Sequence, residues 1–147
     1  ACDLRVAEKK ATFCQPEVDL NLTTGLGGVS RMSRLIGATH TSELVLTGSE
    51  FSAKKMYELG AINNIVNNGE SLEFSINLAN TLSKKPKEAL SSLKKILKDS
   101  MELPLMEALR NEQEIFQSIV KSDNAIKKMR EIQDQYFNGK KPKDIKY

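Results

Sequence analysis

The sequence predicts an α/β fold in two blocks: a mixed α/β part over residues 1–69 and an all-helical part over residues 70–147. Two observations carry this. Up to Gly69, short runs that alternate apolar and polar residues, the period of a strand, are interspersed with runs whose apolar residues recur three and four apart, the period of a helix. After Gly69 only the helical period remains, and Pro86 and Pro104 stand where helices begin.

The elements follow in order. Leu4–Ala7 alternates as a short strand, Lys9-Lys10 makes a turn, and Ala11–Cys14 alternates as a second strand that Pro16 stops. Residues 18–28 have no helical period and hold three glycines, which predicts a loop. A short helix over 28–36 carries Val29, Met32, Leu35 and Ile36 on one side, and Gly37 ends it. Thr41 or Ser42 caps the next helix, which buries Leu44, Val45 and Leu46 and stops at Gly48. Ser52 caps another, running to Leu59, with Gly60 as its stop. Residues 61–66 form a strand, and Asn67-Asn68-Gly69 breaks the chain.

In the second block Leu72, Ile76, Ala79 and Leu82 stripe one helix. Pro86 takes the first position of the next, whose apolar face is Ala89, Leu90, Leu93, Ile96, Leu97 and Met101. Pro104 opens a longer helix bearing Leu105, Ala108, Leu109, Ile115, Phe116, Ile119 and Val120, and a last one runs from Asp123 to Phe137 before Gly139. Such stripes are core or interface packing, the default use of apolar residues at helical spacing.

Composition narrows the function classes. The chain has 147 residues, 39% hydrophobic and 28% charged, which suits one globular domain with a core. No apolar run is as long as a membrane span, and residues 1–10 are too polar for a signal peptide. The net charge of +3 is weighted towards the end, with Lys127, Lys128, Arg130, Lys140, Lys141, Lys143 and Lys146. Such a tail reads first as a solvated terminus; binding of an anion or nucleic acid is the alternative, and no aromatic ladder supports stacking on single strands. Cys2, Cys14 and His40 are the only residues of their types, so neither a disulfide framework nor a metal site is expected.

Glu17 is the first candidate for chemistry. Pro16 fixes the backbone before it, and it stands where strand gives way to loop. An exposed, inert carboxylate is the default reading of such a residue. The sharper one is an acid/base, its pKa raised by an apolar wall of Phe13, Val18, Leu20 and Leu22. Asp19, two residues on, would point the same way on an extended backbone and raise one pKa further. The loop Gly25-Leu26-Gly27-Gly28 leads into a helix start, where glycines admit close approach of a ligand, although positive φ alone would also explain them. Arg31 and Arg34 read as donors to nearby carbonyls before anion ligands, and His40 as a surface or capping residue.

Phe13-Cys14-Gln15-Pro16-Glu17, Gly25-Leu26-Gly27-Gly28, Arg31, Arg34-Leu35-Ile36-Gly37, Leu46-Thr47-Gly48, Ser52-Ala53 and Leu59-Gly60-Ala61-Ile62-Asn63 follow one another in an order that resembles the second half of a crotonase (enoyl-CoA hydratase/isomerase) domain. The resemblance implies the C-terminal part of a crotonase-like ββα spiral, followed by an all-helical trimerisation region. It implies an acyl-CoA substrate, Glu17 as catalytic acid/base, and Pro16, Gly25, Leu26 and Gly27 along the substrate. Ala1–Ala7 resembles the strand that follows the family's glycine-rich oxyanion segment. Both oxyanion donors, and the second glutamate of the hydratases, are therefore expected before Ala1, and residues 1–147 alone are expected to be inactive.

Enoyl-CoA hydration is the expected activity. Double-bond migration on one glutamate, or a non-catalytic helical assembly module, are the alternatives. A dienoyl-CoA isomerase is disfavoured, because that subclass carries Asp where this chain has Gly25. The family often has Gly at the positions of Asp19 and Asn21. Near the end Phe137-Asn138-Gly139-Lys140 fits the pattern, but Met129 and Ile132-Gln133-Asp134 depart from it, so contacts of this helix with the CoA nucleotide are not expected. No cofactor beyond the coenzyme A thioester, a homotrimer or hexamer, and neither nucleic acid nor membrane as partner are expected. The compartment would be the cytoplasm, or the mitochondrial matrix or peroxisome in a eukaryote.

Overall fold

A computed structural model of the chain describes residues 2–145. Ala1, which opens the first strand-like stretch, and Lys146 of the basic tail lie outside the described residues. Compact units part after Leu82, whereas the last strand ends earlier, at Val66.

In the first unit, strand β1 (Val6–Glu8) pairs in parallel with β4 (Asn64–Val66), Ala7 opposite Ile65. Strand β2 (Thr12–Phe13) pairs antiparallel with β3 (Phe51–Ser52), Phe13 opposite Phe51. The turn at Lys9-Lys10 is closed by the Ala11 N–H donating to the Glu8 carbonyl at 3.0 Å. At two residues, β3 is too short to show a period in sequence, and it exists because its partner strand is there.

Helix α1 spans Gly28–Thr47 with a break at Gly37 (φ 80°, ψ 159°), so the expected stop is there. The second run begins directly after it, however, and not at Thr41 or Ser42. Thr41 is buried, and its hydroxyl donates to the Gly37 carbonyl at 2.8 Å, meeting a backbone acceptor beside the break. Leu44 is 1% exposed, but Leu46 is 71% exposed, against expectation. Successive helical residues point about 100° apart, so three in a row cannot all face one core. Gly48 closes the helix in the left-handed region (φ 62°).

Helix α2 (Ala53–Glu58) starts as expected, the Ser52 Oγ accepting from the Lys55 N–H at 3.2 Å. Leu44, Phe51, Ala53, Met56 and Ile62 form the heart of the core, with Ala7 of β1 and Ile36 of α1 against them. Helix α3 (Ser71–Ser83) also belongs to this unit up to Leu82. Leu72 and Ile76 of its expected stripe are exposed; Leu78 is half-buried instead, and Ser75, Leu78, Ala79 and Leu82 line a cavity of about 190 Å³ with Leu4 and Val6.

In the second unit, helix α4 (Lys87–Glu102) packs on α5 (Leu105–Val120), and α5 on α6 (Asp123–Phe137). Pro86 and Pro104 stand at the capping position, one residue before the helix. Ser122 caps α6 by accepting from the Ala125 N–H at 3.3 Å. Much of the expected apolar face stays open: Leu93, Leu97 and Met101 of α4 and Phe116 of α5 are more than half exposed.

Candidate active site

Pro16–Leu20 is a 3-10 helix rather than part of a loop, with Pro16 in its first turn. Proline favours this: its φ is already helical, and a first-turn residue has no intrahelical use for an N–H. At three residues per turn, side chains two apart are splayed by about 120°. Glu17 and Asp19 therefore do not point the same way, as an extended backbone would have required. The Glu17 Oε2 is buried without a hydrogen-bond partner among the described residues. The Asp19 Oδ2 instead lies 2.8 Å from where a Cβ on Gly48 would stand, at the other end of α1. The expected apolar wall is also thinner: Phe13 is half-buried, but Val18, Leu20 and Leu22 are exposed, Leu20 at 67%.

The chain leaves this helix through Asn21, which adopts the left-handed region (φ 55°) that Asn tolerates better than most residues. The Leu22 N–H donates to the Glu17 carbonyl at 2.9 Å, so the backbone beneath the carboxylate is tied down. The glycine loop follows. Gly25 has open space around it, Leu26 is 90% exposed, and Gly27 (φ 78°) caps α1. The Thr24 Oγ1 accepts from the Val29 N–H at 3.4 Å, meeting one of the free donors at the start of α1. Arg31 donates to the Leu26 carbonyl, and Arg34 to that of Ser30 at 3.1 Å, both as expected.

Gln15 entered the sequence reading only as part of the segment before Glu17, with no role of its own. Its Oε1 is the other buried side-chain oxygen without a partner among the described residues, and both polar atoms of its amide lie 3.0 Å from where a Cβ on Gly28 would stand. Gln15 thus packs beside Gly28, at the end of α1 that follows Gly25, Leu26 and Gly27. Its only signal in sequence was adjacency to Pro16-Glu17 upstream of a double glycine. Of the other candidates, Cys14 is a free, exposed thiol just past β2, and His40 is half-buried within α1. Among the described residues, no group of three or more His, Cys, Asp and Glu side chains lies together as metal ligands would, and no helix is long and apolar enough to cross a membrane.

The Enoyl-CoA hydratase/isomerase family model matches residues 1–142. Short-chain-enoyl-CoA hydratase of Clostridium acetobutylicum is 32% identical over 79% of this chain and 44% of its own length. The 2,3-dehydroadipyl-CoA hydratase of Escherichia coli K12 is 30% identical over 78% of this chain and 45% of its own. Among solved structures, an enoyl-CoA hydratase subunit from Geobacillus kaustophilus superposes with a TM-score of 0.83 at 32% identity, covering 96% of this chain and 53% of that one. The chain thus spans about half the length of the relatives it matches.

Proposed function

The chain belongs to the enoyl-CoA hydratase/isomerase family, and from that premise we propose that the protein is an enoyl-CoA hydratase, adding water across the double bond of a 2-enoyl thioester, with Glu17 as proton donor and acceptor. The observation that carries the reading is the buried, unpartnered Glu17 Oε2. A carboxylate oxygen withdrawn from water and given no donor is costly for a fold. Such an atom calls for an explanation, and a group that exchanges a proton with something that binds there supplies one. The glycine loop, with Gly25 open and Leu26 fully outward, supports a substrate lying along Pro16, Gly25, Leu26 and Gly27.

Hydration also needs donors for the enolate oxygen and a second carboxylate for the water. This reading assigns both to the part of the relatives' length that the chain does not span. Asp19 does not serve as that second carboxylate, since its oxygen lies by Gly48. With Glu17 as the one buried carboxylate oxygen without a partner among the described residues, double-bond migration on a single glutamate is the second reading. The open apolar side chains of α4 and α5 favour assembly of copies through the helical region, as a trimer or hexamer. A cytoplasmic site of action, or the mitochondrial matrix or peroxisome in a eukaryote, goes with this reading.

The test is turnover of a short 2-enoyl-CoA and a 3-enoyl-CoA by the full-length protein and its Glu17→Gln variant. Loss of hydration by about 10²-fold or more, with the fold intact by circular dichroism, supports the reading. Isomerisation without hydration selects the second. Turnover unchanged in the variant removes Glu17 as the acid/base, and no turnover by the parent leaves a helical assembly module. Light scattering reads the number of copies.

A further inference from the structure

Arg31 makes two approaches to the glycine loop, and Arg34, one turn further along α1, makes neither. Its guanidinium donates to the Leu26 carbonyl. The same group lies where a side chain on Gly27 would go: a Cβ there would meet Nη1 at 2.9 Å, Cζ at 3.1 Å and Nη2 at 3.3 Å. Gly27 sits at φ 78°, so the chain turns sharply there, immediately after a residue 90% exposed to solvent. Among the described residues, nothing lies within 4 Å of the corresponding point on Gly25. At Gly27, therefore, the loop is held by Arg31, and at Gly25 it has open space beside it in which a ligand could lie.

We propose that Arg31 is a positioning residue for the acyl thioester: its guanidinium pins the Leu26 carbonyl and fills the space beside Gly27, fixing the loop along which the substrate lies. This rests on the function proposed above. The fork of the guanidinium is suited to the task, because it is planar, permanently charged and rigid once one of its donors is engaged. A lysine would reach the carbonyl as a single point of contact and leave the flank of Gly27 empty.

Hydrogen exchange of the amides at residues 20–27 and steady-state kinetics are measured on the full-length protein, for Arg31→Gln, Arg31→Lys and, as control, Arg34→Gln. For Arg31→Gln, loop exchange rises and KM for the acyl-CoA increases by about tenfold, the loss expected of a charge-assisted hydrogen bond. kcat does not move, because the change weakens binding and leaves Glu17 in place. Arg31→Lys recovers part of the KM, and Arg34→Gln matches the parent in both readouts. Loop exchange or KM unaltered in Arg31→Gln overturns the proposal. So does a rise of equal size in Arg34→Gln. A parent protein that turns over no acyl-CoA, with the loop still loosened by Arg31→Gln, shows that the function has failed and the clamp has not.

Discussion

Both polar atoms of the Gln15 amide lie 3.0 Å from the point that a Cβ on Gly28 would occupy. The absence of a side chain at Gly28 is what lets the segment before Glu17 close on the start of α1. The Thr24 Cβ is 3.3 Å from the same point, so an added methyl has little room on either side. We expect Gly28→Ala to cost about 1–3 kcal/mol, the usual penalty for overpacking. Gln15→Ala in the same chain should return much of it, since the two side chains compete for one space. Urea unfolding of the four members of this cycle measures the coupling; additive costs would show that the amide simply moves aside.

The buried Glu17 Oε2 makes the proposed active site a local burden on the fold. Glu17→Gln replaces a carboxyl group whose Oε2 has no hydrogen-bond partner among the described residues with an amide of nearly the same shape. Turnover should fall as stated above, while the melting temperature stays level or rises, by up to about 1 kcal/mol in stability. A clear drop in melting temperature would mean that the carboxylate has a structural partner.

Leu44 and Leu46 share a helix and differ in burial, at 1% and 71% exposed. Leu44→Ala should destabilise by about 2–5 kcal/mol, and Leu46→Ala by no more than about 0.5 kcal/mol. Similar shifts in the two denaturation midpoints would contradict the packing of α1.

Ser71 donates its hydroxyl to the Glu8 Oε1 at 2.7 Å, across the start of α3. That bond, helped by the backbone N–H groups of Gly69 and Ser71, holds the Glu8 carboxyl below its ordinary value near 4.5. A carboxylate whose pKa is lowered in the folded state stabilises above its unfolded pKa, and the gain disappears as pH falls through the folded value. Ser71→Ala should therefore be less stable than the parent at neutral pH, with the gap closing as pH falls below the ordinary value of 4.5. Midpoints of urea unfolding across that range decide it; a gap independent of pH would assign the loss to the helix start instead of to Glu8.

Ser52 shows how much was legible locally. Its hydroxyl caps α2 as its position before Ala53-Lys54-Lys55 implies, and Ser52→Ala should cost about 0.5–2 kcal/mol in thermal unfolding. The stops at Gly37, Gly48, Gly60 and Gly139 were equally visible, and all four adopt positive φ. These features depend on torsions and hydrogen bonds between near neighbours, which the residue types by themselves constrain.

The sequence by itself determined most of the strands and helices, the glycine and serine punctuation, and the place of Glu17 ahead of a glycine loop. The tertiary structure decided which Glu17 oxygen is shut away from water, that Asp19 turns off towards Gly48, and that Gln15 rests on Gly28. It also decided that β3 exists at all and that Thr41 is buried. Each of these depends on chain segments far apart in sequence coming within a few ångströms. Burial is a property of that meeting, and no local pattern of residue types encodes it.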